Sequence, residues 1–275
     1  MYMKLKDGKS KVLTLSYDDG VVQDKRLIEI MNKHGLKGTF NINSGIYAPE
    51  NADPNRTSGR LTLSEAKELY TNSGHEVAVH TLTHPFLESL TNEEVIYEIT
   101  EDRKSIEKEY GTIARGMAYP FGTYSDKVVE VLEKCGIVYS RTVRSTEQFS
   151  FPENWLTLHP TCHHKNSRLM ELADKFLNEQ PRYAHINNMF YLWGHSYEFD
   201  NDNNWNVIEE FAEKTGGKDD VWYATNIEIY DYVKAYENLQ VSYDKKIIHN
   251  PSAIDVWVLD NNETFVIRAG ETIHR

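Results

Sequence analysis

Short apolar runs recur along the chain, each followed by a polar turn and then by an amphipathic segment that opens on capping residues. Residues 12–16 form the first run, and a helical pattern covers 23–34. The run 76–79 leads through a turn to a helix beginning near Thr91. Residues 116–119 precede "TYSDKVVEVLEKCG", where Ser125 reads as the helix start and Gly136 as its stop. Residues 136–139 and 189–193 read as further buried strands. Thr62 with Glu65, Thr91 with Glu94 and Thr225 with Glu228 each form a capping box, in which side chains satisfy the free donors of a helix start. Strands alternating with helices predict parallel βα units, closed into a barrel or laid out as a doubly wound sheet.

Beyond Gln240 the period changes. Val256 and Val258, then Phe265 and Ile267, alternate with polar residues around the turn sequence "DNNE". This predicts a small antiparallel β appendage over 240–275, packed on or beside a barrel of residues 1–239.

The chain has 275 residues, 40% of them hydrophobic, which suffices for a sizeable core. Its net charge of -12 disfavours nucleic acid and anionic membrane surfaces as partners, because both are bound through clustered Lys and Arg. No run reaches the length of a signal-peptide core or of a membrane span. Cys135 and Cys162 make no disulfide framework. The expectation is a soluble cytoplasmic protein acting on a carbohydrate or small molecule, with self-association into a homo-oligomer left open.

Four short stretches carry candidate chemistry. "LTLSYDDG" ends a strand on Asp18 and Asp19, and by itself Asp-Asp-Gly is ordinary turn chemistry. "VAVHTLTHP" places His80 and His84 four apart after a strand. If a helical turn begins there, the two imidazoles share a face and can share a metal. A zincin site is excluded, since Thr81 stands where that motif needs Glu. "AYPFGTY" is a Pro-Gly turn after a strand, and "FYLWGHSYEF" sets His195 at the end of an apolar strand. Each stretch lies just past the C-terminal end of a predicted strand, and in a parallel barrel those ends converge on one mouth.

In their order and rough spacing, "SYDDG", "HTLTH", "AYPFG" and "YLWGH" resemble the polysaccharide deacetylases, carbohydrate esterase family 4 with the NodB-homology domain, over residues 10–235. The resemblance implies a distorted (β/α) barrel and a metal-dependent hydrolase that removes acetyl groups from N-acetylated sugars or polysaccharides. It implies Asp19, His80 and His84 as ligands of one divalent metal, zinc or another first-row ion. Asp18 would be the general base and His195 the general acid, with the Phe121 backbone N–H at the oxyanion. Tyr119, Pro120, Gly122 and Trp193 would line the substrate site. The family pattern has Arg two residues before the proline, where this chain has Ala118. Arg141, at the end of the next strand, is the candidate replacement.

"HPTCHHK" adds His159, Cys162, His163 and His164 at spacings that match no standard zinc pattern. Trp193, Tyr197, Phe199 and Trp205 surround His195, in a pattern that core packing explains for most of them. Two rival readings remain: the same site acting on a non-sugar amide such as a cyclic ureide, and a carbohydrate-binding barrel without catalysis.

Overall fold

The structure is a computed structural model that describes residues 1–179, 183 and 186–275. Its centre is β2 (Lys11–Asp18), buried at every position. Leu13, Leu15 and Tyr17 join the large apolar core, while the alternate Thr14 and Ser16 are buried on hydrogen bonds with Asn226 and Asn41. Around it lie β3 (Gly38–Ile42), β4 (Glu76–Val79), β5 (Gly116–Ala118) and β6 (Tyr139–Arg141) on one side. On the other lie β7 (Cys162–His163) and β8 (Asn188–Gly194). The order is β6-β5-β4-β3-β2-β8-β7, with every pair parallel. A short β9 (Val221–Tyr223) pairs with the first residues of β2. Between the outer strands, Leu158 bridges to Arg141 and the Thr161 N–H reaches the Tyr191 carbonyl. The sheet therefore curls into a distorted barrel whose last gap is closed by one irregular segment.

Helices α1 (Asp24–Lys33), α2 (Leu63–Tyr70), α3 (Asn92–Tyr110), α4 (Asp126–Lys134), α5 (Leu169–Asn178), α6 (Tyr197–Asn201), α7 (Asn206–Thr215) and α8 (Asn226–Glu237) complete the units. All three capping boxes form, at the starts of α2, α3 and α8. The apolar faces of α1–α7 pack on the sheet in one large core, where Phe190 lies among Phe149, Phe176 and Phe211, and α8 packs in a second cluster with Val12, Tyr139 and Met189.

One strand starts later than its sequence suggests. Residues 136–138 link α4 to β6, and pairing begins only at Tyr139 opposite Gly116. Gly136, at φ 74°, donates to the Glu133 carbonyl while the Ile137 N–H reaches Leu132. This helix-ending motif consumes the backbone groups that a strand would use.

Residues 240–275 build two small antiparallel sheets. In one, β12 (Val256–Asp260) and β13 (Glu263–Ile267) form a hairpin that also pairs with β1 (Tyr2–Met3). Asn261 and Asn262 both take positive φ at its tip, the turn that "DNNE" predicts. The other sheet contains β10 (Gln240–Val241), β11 (Ile247–His249) and β14 (Thr272–His274). The hairpin packs against the barrel through Tyr232, whose hydroxyl accepts from the Trp257 N–H and donates to the Lys4 carbonyl. Among the described residues no helix is long and apolar enough to cross a membrane.

Core packing and capping predict costs of different size. Phe190→Ala should lower unfolding free energy by about 3–5 kcal/mol, whereas Thr91→Ala should cost about 1 kcal/mol. Urea denaturation of both variants checks the ranking, and equal losses would place Phe190 outside the cooperative core.

Candidate metal centre and catalytic site

The four stretches meet at the C-terminal ends of β2, β4, β5 and β8. At the end of β2 the chain leaves the ladder through Asp19 (φ 86°) and Gly20 (φ 63°). Asp18 stays buried and inward, while Asp19 faces the mouth with its side chain 14% exposed. Asp-Asp-Gly is thus a turn, and the same turn sends its two carboxylates in different directions.

The histidine segment is not the helical turn that its spacing allowed. Thr81 and His84 sit at φ 68° and 64°, so residues 80–84 form a loop held from outside. From α3, Asp102 accepts the His80 N–H at 3.0 Å and the Ser44 N–H at 2.7 Å. Glu98 accepts both the N–H and the hydroxyl of Thr83. Asn43 donates to the carbonyls of His80 and Thr81. Neither acidic residue on α3 was singled out from the sequence. The available signal was that Glu98 and Asp102 share a helix face with the apolar Val95, Ile99 and Ile106.

Held this way, Asp19, His80 and His84 offer three ligand atoms within 4.8 Å of one another. The rings of His80 and His84 meet edge to face at 4.8 Å. His80 Nδ1 lies 2.8 Å from the Ala118 carbonyl, which makes Nδ1 the protonated nitrogen. Nε2 then carries the lone pair, and it is buried without a hydrogen-bond partner, 3.9 Å from Asp19 Oδ1. His84 Nε2 is 3.7 Å from the same oxygen. Burial lowers the His80 pKa to about 4, against the pull of Asp18 and Asp19, and lowers that of His84 too. Both imidazoles are neutral at pH 7, as ligation requires. An orphaned buried nitrogen and a mixed N/O donor set suit a first-row divalent cation. Arg60, which the sequence did not flag, bonds Asp19 Oδ1 at 3.2 Å and also reaches the Asp19 carbonyl.

Asp18 is fixed by two partners. Asn41 donates to Oδ1 at 2.9 Å, and the Arg141 guanidinium bonds Oδ2. Arg141 is fully buried beside Ala118 in the β5–β6 register and stacks under the Trp193 ring at 4.3 Å. Burial opposes ionisation of Asp18, but the charges of Arg141, His80 and His195 and the Arg141 hydrogen bond prevail and hold its pKa at about 2.

His195 approaches from the other side, with Nε2 3.9 Å from Asp18 Oδ2. Its Nδ1 is 3.2 Å from Glu198 Oε2, which also accepts the His195 backbone N–H. Glu198 also meets Lys165 at 3.1 Å and His163 Nε2 at 3.0 Å. Burial works against charge on Glu198, but these partners keep its carboxyl well below the usual carboxylate range. Burial would likewise lower the His195 pKa, yet the Glu198 hydrogen bond and the charges of Asp18 and Asp19 raise it instead. Glu198 was missed in the sequence, where its signal was a His-x-x-Glu spacing at a helix start.

The histidine-rich loop therefore contributes through Glu198. His163, His164 and Glu198 lie close enough to hold a cation, but His163 Nδ1 accepts the Lys165 N–H. That bond leaves Nε2–H as a donor to the carboxylate, whereas both His164 ring nitrogens are buried without a hydrogen-bond partner and its ring stacks on Phe199 at 4.2 Å. Gly194 is required beside it, since a Cβ there would stand 2.1 Å from His164 Nδ1. His159 bonds Thr142 at 2.6 Å and takes no part in the cluster. Cys135 and Cys162 are free thiols.

The Pro-Gly turn contributes mainly backbone. Pro120 is buried, and the Tyr119 ring is buried with its hydroxyl on the Leu156 carbonyl, so neither side chain lines the mouth. Phe121, at φ 58°, sets its ring edge to face with His84 at 4.6 Å, and Gly122 follows at φ 75°.

Residues 5–140 match the family model described as polysaccharide deacetylase. Over 126 residues, 45% of this chain, it is 30% identical to chitin deacetylase 1 of Cryptococcus neoformans var. grubii, covering 24% of that protein. It is 28% identical over the same length to the chitooligosaccharide deacetylase of Azorhizobium caulinodans, covering 54% of it. The chain thus spans about half or less of the length of these relatives. Among solved structures, the chitin deacetylase of Colletotrichum lindemuthianum superposes with a TM-score of 0.53 at 17% identity, covering 83% of this chain and 89% of that one. A family 4 carbohydrate esterase of Streptomyces lividans gives 0.51 at 18% identity, covering 78% and 91%. These structures share the distorted barrel, and residues 5–140, the segment that matches the polysaccharide deacetylase family model, carry the first three of the four site stretches.

Proposed function

We propose that this protein is a metal-dependent hydrolase that removes acetyl groups from an N-acetylated sugar oligomer or polymer. The observation that carries the reading is a pair of charged dyads, Arg141–Asp18 and Glu198–His195, facing each other across 3.9 Å beside three convergent metal donors. A barrel that only bound carbohydrate would gain nothing from burying an ion pair at its mouth, since burying charge is costly. The relatives named for chitin and chitooligosaccharide favour a sugar over a cyclic ureide.

Asp19, His80 and His84 hold the divalent ion, zinc or another first-row metal. When bound, it supplies Lewis acidity that polarises the acetyl carbonyl and lowers the pKa of water. Asp18, ionised through the working pH range, accepts the proton of the attacking water as the new C–O bond forms. Arg141 and Asn41 keep that carboxylate aimed. The Phe121 N–H donates to the carbonyl oxygen as it becomes an oxyanion. His195 Nε2 then gives its proton to the nitrogen as the C–N bond breaks, and Glu198 holds the ring by Nδ1 so that Nε2 faces the reaction. Acetate and a free amine leave.

Release of acetate from N-acetylglucosamine oligomers by the metal-loaded protein tests the reading. The double variant His80→Ala with His84→Ala should lose stoichiometric metal in elemental analysis. Asp18→Asn should keep its metal and lower kcat by about 100-fold or more; retained metal in the former or an unchanged rate in the latter refutes the assignment.

The acid dyad predicts a pH effect with a definite sign. His195 must be protonated to act, and Glu198 raises its pKa, so activity should persist above the ordinary imidazole range and fall on the alkaline side. Glu198→Gln removes the charge and should move that alkaline limb to lower pH. A limb that stays in place would show that Glu198 does not tune His195.

A further inference from the structure

Phe86 and Phe121 stand at the mouth with about half of each side chain in water, 48% and 49% exposed. Their rings stack at 3.8 Å and 11°, and Phe121 in turn packs on the ring of His84. Only Phe121 belongs to the four stretches that define the site. Phe86 follows the second of them and has no part in the chemistry above.

The stack is held in place rather than left to chance. Glu88, from the short turn Leu87–Ser89 after Phe86, accepts the Thr123 hydroxyl at 2.7 Å and ties the two ring-bearing loops together. Phe121 is kept in the left-handed region, a conformation strained for any residue with a Cβ. The Gly122 N–H to the Tyr119 carbonyl, at 2.9 Å, locks that turn, and Val143 fills the space over Gly122. Structure that maintains both local strain and an exposed aromatic pair beside a reactive centre points to a ligand surface.

The rest of the mouth narrows what that ligand is. On the Asp19 side lies a pocket of about 260 Å³ lined by polar groups, among them Gln23, Ser58, Arg60 and Asn201. A pyranose ring has this split character, with C–H groups on its faces and hydroxyls at its edges. Flat aromatic carbon complements the former, and amide and guanidinium groups the latter. Phe121 meets the His84 ring and Phe86 stacks on Phe121, so a sugar on the Phe86 ring is displaced from the residue whose acetyl group reacts.

We propose that Phe86, backed by Phe121, is the docking platform for the sugar next to the one being deacetylated, which makes the substrate an oligomer or polymer rather than a free sugar. This rests on the deacetylase reading of the site. It assigns Phe86 to substrate binding and not to catalysis.

Calorimetry and steady-state kinetics of the metal-loaded enzyme with an N-acetylglucosamine tetramer and with the monomer test it. Phe86→Ala should raise both Kd and KM for the tetramer about tenfold while kcat and metal content stay unchanged. Phe86→Tyr, which keeps the aromatic face, should stay within about twofold of the unaltered enzyme. On the monomer all three should match. An unchanged tetramer Kd in Phe86→Ala overturns the platform, and so does a loss of equal size on the monomer, which would mark damage to the His84 loop. Because Kd is read without turnover, it decides the platform even if no acetate is released, an outcome that would overturn only the proposed function.

Discussion

Asp18 and Arg141 are both removed from water, and neither could be buried without the other. A lone buried charge costs several kcal/mol, and removing one partner of such a pair typically costs about 3–5 kcal/mol. The two residues are 123 positions apart in the chain and lie on β2 and β6, four strands apart in the sheet. In a flat sheet four strand spacings amount to roughly 19 Å. Their direct contact therefore requires the sheet to curl until its two flanks face each other. Barrel shape, base orientation and the stacking of Trp193 over the guanidinium all follow from that one contact.

The loops that bear the reactive groups depend on a second device, repeated three times. Each is held by a buried or half-buried carboxylate that accepts a backbone N–H. Asp24 accepts from Val21 after β2, Asp102 from His80 after β4, and Glu198 from His195 after β8. A carboxyl group can take several hydrogen bonds at once, which suits loops that must stay rigid without regular structure. Asp24 also takes the hydroxyls of Tyr70 and Ser196, so the loop after β2 and the loop carrying His195 share one anchor. Burial raises the pKa of Asp24 and Asp102 to about 7, which marks how far both have been drawn from solvent.

Two cations shape the charge at the centre in different ways. Arg141 is sealed inside and keeps Asp18 ionised whatever occupies the mouth. Arg60 is partly exposed and bonds the same Asp19 oxygen that His80 and His84 approach. An ion entering there meets a carboxylate already oriented and partly neutralised. Ala118 explains why the arginine comes from β6: the short side chain on β5 leaves the space that Arg141 occupies from the neighbouring register position.

Local physics was legible in the amino-acid sequence by itself. Capping boxes, the strand at residues 12–16, the asparagine turn of the terminal hairpin and the stop at Gly136 each depend on residues within a few positions of one another. The order of Asp18–Asp19, His80–His84, the Pro-Gly turn and His195 after successive strands identified the mouth, because parallel βα units must bring those ends together. Tertiary structure alone decided which atoms meet. The His80–His84 spacing allowed a helical turn, but Asp102 and Glu98 on a distant helix hold a left-handed loop there instead. Residues 136–138 read as part of a strand, yet the helix-ending hydrogen bonds claim the N–H groups of Gly136 and Ile137. Arg60 and Phe86 carry no local signature of their roles, and Glu198 only a His-x-x-Glu spacing, since a charge pair or a ring stack is set by distance in space. Those distances exist only once the sheet has curled around the buried Asp18–Arg141 pair.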